Sequence, residues 1–194
     1  AEPDAFIKDG IFLPSWTKFA AHPIKAKGFL INMLQAVLQG RGGDDSLNVD
    51  LQTRRNPKKE GLKVAMMWMS GGITNDALGV TSIIASEALD GFVIQPIYGE
   101  EMTNGTAEAK CKEVIEKAVK NNMNVLFISS KMAARSFSIP EITELYLAYD
   151  TGDNGATIQK ISRVLTPNKV GKIGRVVSLS FDPNRDDKFD AMMI

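Results

Sequence analysis

Five stretches of this chain are apolar almost without interruption at strand length: residues 63–69 (KVAMMWM), 92–98 (FVIQPIY), 124–129 (NVLFIS), 144–149 (ELYLAY) and 175–181 (RVVSLSF). A strand with one face in water alternates apolar and polar side chains. A strand buried on both faces does not. Runs of this kind therefore belong inside a sheet that is covered on both sides. Between them lie stretches of helical character, near residues 74–89, 106–121 and 156–165. Parallel strands need such crossovers, and here the lengths suffice. The expected fold class is α/β, a parallel sheet with helices on both faces.

Local signals sharpen the pattern. Thr74-Asn75-Asp76 can cap the first crossover helix, and Thr106 can cap the second. Ala109, Val114, Ile115, Ala118 and Val119 form the apolar side predicted for that second helix. Pro96 restricts its strand to an edge or a bulge, because proline cannot donate to a ladder. Upstream, Ile24, Phe29, Leu30, Met33, Leu34, Val37 and Leu38 repeat at helical spacing, and the pattern stops at Gly40. Residues 1–22 are mixed, with Pro3 and Pro14 opposing a long helix. Residues 41–61 are polar and aperiodic, as a linker or long loop should be. Their basic cluster, Arg54, Arg55, Lys58 and Lys59, reads first as a solvated face and second as a phosphate contact. A short helix is expected over 186–193. The division is residues 1–61 as a helical extension with a polar linker, and 62–194 as the main lobe.

Composition excludes several classes. Lys+Arg 23 against Asp+Glu 23 leaves no net charge to advertise a nucleic-acid partner, so local patches must carry any such contact. The single cysteine, Cys111, forbids an internal disulfide and fits a reducing, cytoplasmic compartment as a half-buried thiol. The single histidine, His22, leaves no histidine-based metal site or Ser-His triad to build, and it is expected at the surface. No apolar run reaches the length of a membrane span and no secretory leader is recognisable. The start at Ala1 is expected of a processed protein or, preferably, of a piece cut from a longer chain.

Open parallel sheets bind ligands beyond the carboxyl ends of their strands. Four loops fall there: 70–72, 99–105, 129–140 and 150–155. The first opens a helix with Ser70-Gly71-Gly72, and its backbone N–H groups can hold a phosphate. It is no P-loop, because it lacks the lysine of GxxxxGK[ST]. The loop 129–140 is rich in small residues (Ser129, Ser130, Ala133, Ala134, Ser136, Ser138) and carries Lys131 and Arg135. Small residues let another chain or ligand approach the backbone. In QKISRVLT, Gln159, Arg163 and Thr166 share one helical face, with Ile158, Ile161, Val164 and Leu165 behind. Arginine's planar fork suits charge on a transferring phosphoryl group.

In order, these pieces are a strand, then SKMAARSFSIP, then a strand ending Tyr149-Asp150, then QKISRVLT. The series resembles the second RecA-like lobe of superfamily 2 helicases and translocases, where the pieces read like TDVAARGLDIP and QxxGRxxR. Ala133, Ala134, Arg135 and Pro140 stand in their usual places, and Gln159 and Arg163 match the last motif. The resemblance covers about residues 62–182 and leans toward phage and other microbial enzymes. It implies that Arg163 acts as an arginine finger on ATP and Mg2+ held by an N-terminal RecA-like lobe. Gln159 and Ser138 would face the same nucleotide. Ser70, Gly71, Ser130, Lys131 and Arg135 would contact the phosphates of single-stranded DNA or RNA. Neither a metal ligand in this chain nor a membrane partner is implied.

Four of the departures from the family's motifs bear on the nucleotide chemistry. Ser136 replaces Gly, Ser138 replaces Asp, Ser162 replaces Gly, and Thr166 replaces the second arginine, with Lys169 the nearest substitute. No Walker A lysine or Asp-Glu box is present, so these residues are not expected to hydrolyse ATP alone. A degenerate, non-catalytic docking module is the alternative, and a doubly wound small-molecule enzyme the third choice.

Overall fold

In the computed structural model, residues 7–8, 11–12, 15–39, 63–103, 105–130, 139–142, 144–149 and 175–179 are described. A short antiparallel pair, β1 (Ile7–Lys8) and β2 (Ile11–Phe12), opens the chain. Two helices follow, α1 (Trp16–Ala21) and α2 (Lys27–Gln39). Then come β3 (Val64–Met69), α3 (Asn75–Ala88), β4 (Phe92–Ile97), α4 (Gly99–Thr103), α5 (Ala107–Lys120), β5 (Asn124–Ser130), β6 (Glu144–Ala148) and β7 (Arg175–Ser178).

The last five strands make one sheet in the order β4-β5-β3-β6-β7, with every neighbouring pair parallel. The expected parallel α/β sheet is thus present. Pro96 lies on β4, an edge strand, where a missing N–H costs no ladder bond.

Residue parity splits the core into two layers. Ala65, Met67, Met69, Leu126, Ile128, Tyr146 and Ala148 point to one face, under α1, α2 and α3. Val64, Met66, Trp68, Val125, Phe127, Leu145 and Leu147 point to the other, under α5 and residues Ile139 and Ile142. All of β3 is buried, which is why its sequence shows no alternation. Each large side chain so buried contributes about 1.5–3 kcal/mol. The faces follow from the strand order. The β3–β4 connection runs outward along the sheet and the β4–β5 connection runs back. At constant crossover handedness, helices serving opposite directions fall on opposite faces.

The amino ends of the strands are closed by polar groups. The Lys63 backbone N–H donates to Asn124 Oδ1 (2.8 Å). Lys63 Nζ donates to the Leu38 carbonyl (3.2 Å) and lies 3.8 Å from Glu144 Oε1. The Tyr146 hydroxyl meets Glu144 Oε2 at 2.6 Å and the Val37 carbonyl at 3.3 Å.

Several local expectations are corrected. Residues 16–21 are helical: Ser15 caps them, accepting from the Lys18 N–H, and Trp16, Phe19 and Ala20 are buried. α2 starts at Lys27, so Ile24 lies outside it and is 72% exposed. Phe29 is 39% exposed and stacks on Phe19, with ring centroids 4.6 Å apart. The buried stripe of α5 is Ala107, Cys111, Ile115 and Ala118, while Ala109 and Val119 face solvent. Cys111 is fully buried rather than half-buried. Thr106 occupies the cap position without a side-chain capping bond, because its hydroxyl donates to the Glu101 carbonyl instead (3.3 Å). The expected linker 41–61 and the expected helices over 156–165 and 186–193 lie outside the described residues.

Candidate functional site

The strand order places a switch point at the carboxyl ends of β3 and β6. From β3 the chain turns toward β4, and from β6 it proceeds to β7 on the other side. In open α/β sheets, ligands bind in the crevice such a divergence opens. Register fixes what meets there. Met69, the last residue of β3, pairs with Ser130 on one side and Ala148 on the other. Ile97, at the end of β4, pairs with Ser129, whose hydroxyl donates to the Ile97 carbonyl (3.1 Å). The chain therefore leaves β3, β5, β6 and β4 along one edge, and Ser70, Gly71 and Ser130 are brought together on it.

The turn after β3 is built for an exposed backbone. The Ile73 N–H closes it on the Ser70 carbonyl at 3.1 Å. Thr74 then caps α3 as expected, with Oγ1 accepting from the Ala77 N–H at 3.1 Å. A Cβ added at Gly72 would meet nothing within 4 Å, and its φ is not in the left-handed range. Neither packing nor conformation demands glycine at that position. A bare backbone beside a helix N-terminus leaves donors approachable by an anion.

The loop after β4 is held by Glu101, which the sequence did not single out. One of its carboxylate oxygens accepts from the Tyr98 N–H (2.9 Å) and the other takes the Lys110 ammonium. Its carbonyl accepts from the Thr106 N–H at 3.0 Å. Gly105 sits at φ +70, which a side chain would strain. Tyr98 reaches across to α3, where Gly79 gives its hydroxyl room. No spacing rule links Glu101 with Lys110, since they occupy different helices. Beside them, burial pushes the Cys111 thiol up to about 12, with Glu101 and Glu108 adding to the rise and Lys110 opposing it. That thiol is no nucleophile at neutral pH.

The described part of the edge is short of cations. Asp76 and Glu100 lie there, and Lys110 is spent on Glu101. No group of His, Cys, Asp or Glu among the described residues can hold a metal ion. The described residues thus offer a backbone anion contact but do not fit a complete magnesium–triphosphate site. The remaining predicted site residues, Lys131, Arg135, Ser138, Gln159 and Arg163, lie outside the described residues. Among the described residues, no helix is long and apolar enough to cross a membrane.

No family model matches the sequence, and no curated protein matches it. Solved structures do. The chain is similar to the C-terminal domain of the DEAD-box protein Dbp5, at 16% identity over 69% of this chain and 68% of that one, with a TM-score of 0.42. It is also similar to the ATP-dependent Type ISP restriction-modification enzyme LlaBIII bound to DNA, at 10% identity over 90% of this chain and 12% of that one, with a TM-score of 0.50. With the all-parallel sheet, that likeness makes the fold RecA-like. A third similarity is to the C-terminal part of the Fun30 ATPase domain: 12% identity, 86% of this chain, 53% of that one, TM-score 0.47. The chain spans about half of the Fun30 piece and about an eighth of the restriction enzyme. At 10% identity, the likeness to the restriction enzyme bears on the fold alone.

Proposed function

We propose that this lobe is the C-terminal motor lobe of an ATP-dependent nucleic-acid helicase or translocase. It supplies strand-phosphate contacts and an arginine finger, while a separate RecA-like lobe holds ATP and Mg2+. The observation that carries the proposal is the shared edge. Three connections that carry the proposed site residues start at one level of register, around Met69. On that edge the Ser70–Ile73 turn offers backbone donors to a phosphodiester, a contact that tracks a strand without reading bases.

Each residue has a role in this proposal. Ser70, Gly71 and Ser130 hold backbone phosphates, and Lys131 and Arg135 add charge. Gln159 and Ser138 face the nucleotide. Arg163 stabilises the charge that develops on the transferring phosphoryl group. The chain supplies no lysine in the glycine-rich turn, so it does not bind the triphosphate alone. A cytoplasmic setting, in a bacterium or a phage-infected host, goes with this role.

Two measurements test the proposal. In a polypeptide carrying both lobes, Arg163→Ala lowers strand-stimulated ATP turnover about a thousandfold or more. Unchanged turnover removes the finger. In this chain, Lys131→Glu with Arg135→Glu weakens binding of a labelled oligonucleotide and flattens its salt dependence by roughly one unit of slope per lost contact. The four serine and threonine departures favour a second function, a non-catalytic docking module. It predicts strand or protein binding with turnover indifferent to Arg163.

A further inference from the structure

We infer that α1 and α2 are a two-ended clasp belonging to the sheet's own folding unit, which places the start of the lobe at Ser15 rather than at residue 62. This inference stands independently of any nucleic-acid role. At the carboxyl edge, the Trp16 indole N–H donates to the carbonyl of Leu179, the residue after β7. Leu179 in turn donates its N–H to the Leu147 carbonyl of β6 (3.1 Å). The first described helix thus holds the last described strand in place beside the switch-point edge. At the amino edge, the C-terminal half of α2 makes four polar contacts. The Val37 carbonyl meets the Tyr146 hydroxyl, and the Leu38 carbonyl takes the Lys63 ammonium. Gln35 Nε2 donates to the Ala88 carbonyl (3.0 Å) and Gln39 Nε2 to the Asp90 carbonyl (2.8 Å).

Between these ends the clasp is core. Trp16, Phe19, Leu30, Met33, Leu34, Val37 and Leu38 share one continuous apolar layer with Met67, Leu126, Ile128 and Tyr146 of the sheet. Without it, α3 alone would cover that layer. An appendage joined by a linker would exchange its amides on its own; an element sharing buried layer and polar ties exchanges with the whole. β7 is a four-residue edge strand with a neighbour on one side, so it depends most on the Trp16 tie.

Native-state hydrogen exchange on the full 194-residue chain decides the matter. The expected result is that α2 amides exchange within about tenfold of those of β3. Trp16→Phe, which keeps an aromatic ring and deletes the donor, speeds exchange in β7 about tenfold or more while β3 and β5 hold their rates. Exchange in α2 about a hundredfold faster than in β3 would overturn the shared unit. An unaltered β7 in Trp16→Phe would overturn the clasp.

Discussion

The Lys63–Glu144 pair offers the sharpest test of how this sheet is held. Both side chains are nearly buried, at 9% and 11% exposure, with Nζ and Oε1 3.8 Å apart. At an effective dielectric constant of 20 their attraction is about 4 kcal/mol, offset by desolvation of both ions. Removing one partner strands the other. Lys63→Met leaves a buried carboxylate with the Tyr146 hydroxyl for company, and should cost about 3–5 kcal/mol. Glu144→Leu removes the carboxylate beside a buried ammonium and should cost a similar amount. The double variant strands neither, so its loss should fall short of the summed singles by about 2 kcal/mol or more. Tyr146→Phe removes a hydroxyl from a charged acceptor while the ion pair survives, at about 1.5–3 kcal/mol. Urea unfolding of all four proteins at one pH gives the cycle. Singles that add within about 0.5 kcal/mol would show that the two charges do not support each other, and would refute the reasoning.

Two further outcomes follow from single contacts. The Cys111 thiol is raised from 9.0 to about 12, so the folded state holds its proton more tightly than the unfolded one. Its contribution to stability is complete below pH 9 and is lost as pH rises toward 12; stability of the chain and of Cys111→Ala, measured from pH 8 to 11, should converge, and iodoacetamide should label the native thiol slowly throughout. At Gly79 an alanine would gain about 1 kcal/mol of helix propensity, but its Cβ would sit 3.3 Å from the Tyr98 hydroxyl oxygen. Gly79→Ala should therefore stabilise by thermal unfolding in a Tyr98→Phe background and gain nothing in the native one; equal gains in both would show that Tyr98 does not crowd α3.

Much of the sheet was legible because burial on both faces removes the alternation that usually marks a strand. Residues 63–69, 92–98, 124–129 and 144–149 therefore stood out, and each carries a strand. The edge position of β4 was legible for a different reason, since Pro96 lacks a donor. Helix faces were harder. Val119 is apolar yet does not join the buried stripe, while the small Ala107 and Cys111 do. Volume alone does not decide burial when a helix crosses small residues close to a sheet. α1 leaves little periodic signal because its six residues fall short of two turns, although Ser15 followed by Trp16, Phe19 and Ala20 is a cap followed by one apolar side. The Asp9-Gly10 dipeptide between β1 and β2 is a hairpin signal of the same short range.

The site divides along the same line. Ser70, Gly71 and Thr74 could be placed from local chemistry, because a glycine turn and a cap are properties of neighbouring residues. Glu101 with Lys110, and Lys63 with Glu144, are properties of the fold. Nothing in the spacing of two charges on different elements says that they meet. Register supplies the missing step. Once Met69 is paired with both Ser130 and Ala148, loops far apart in sequence must start side by side. A ligand bound at that edge would sit where three of them begin. Segments too short to be informative singly are brought to one edge, because the parallel sheet fixes where each strand ends.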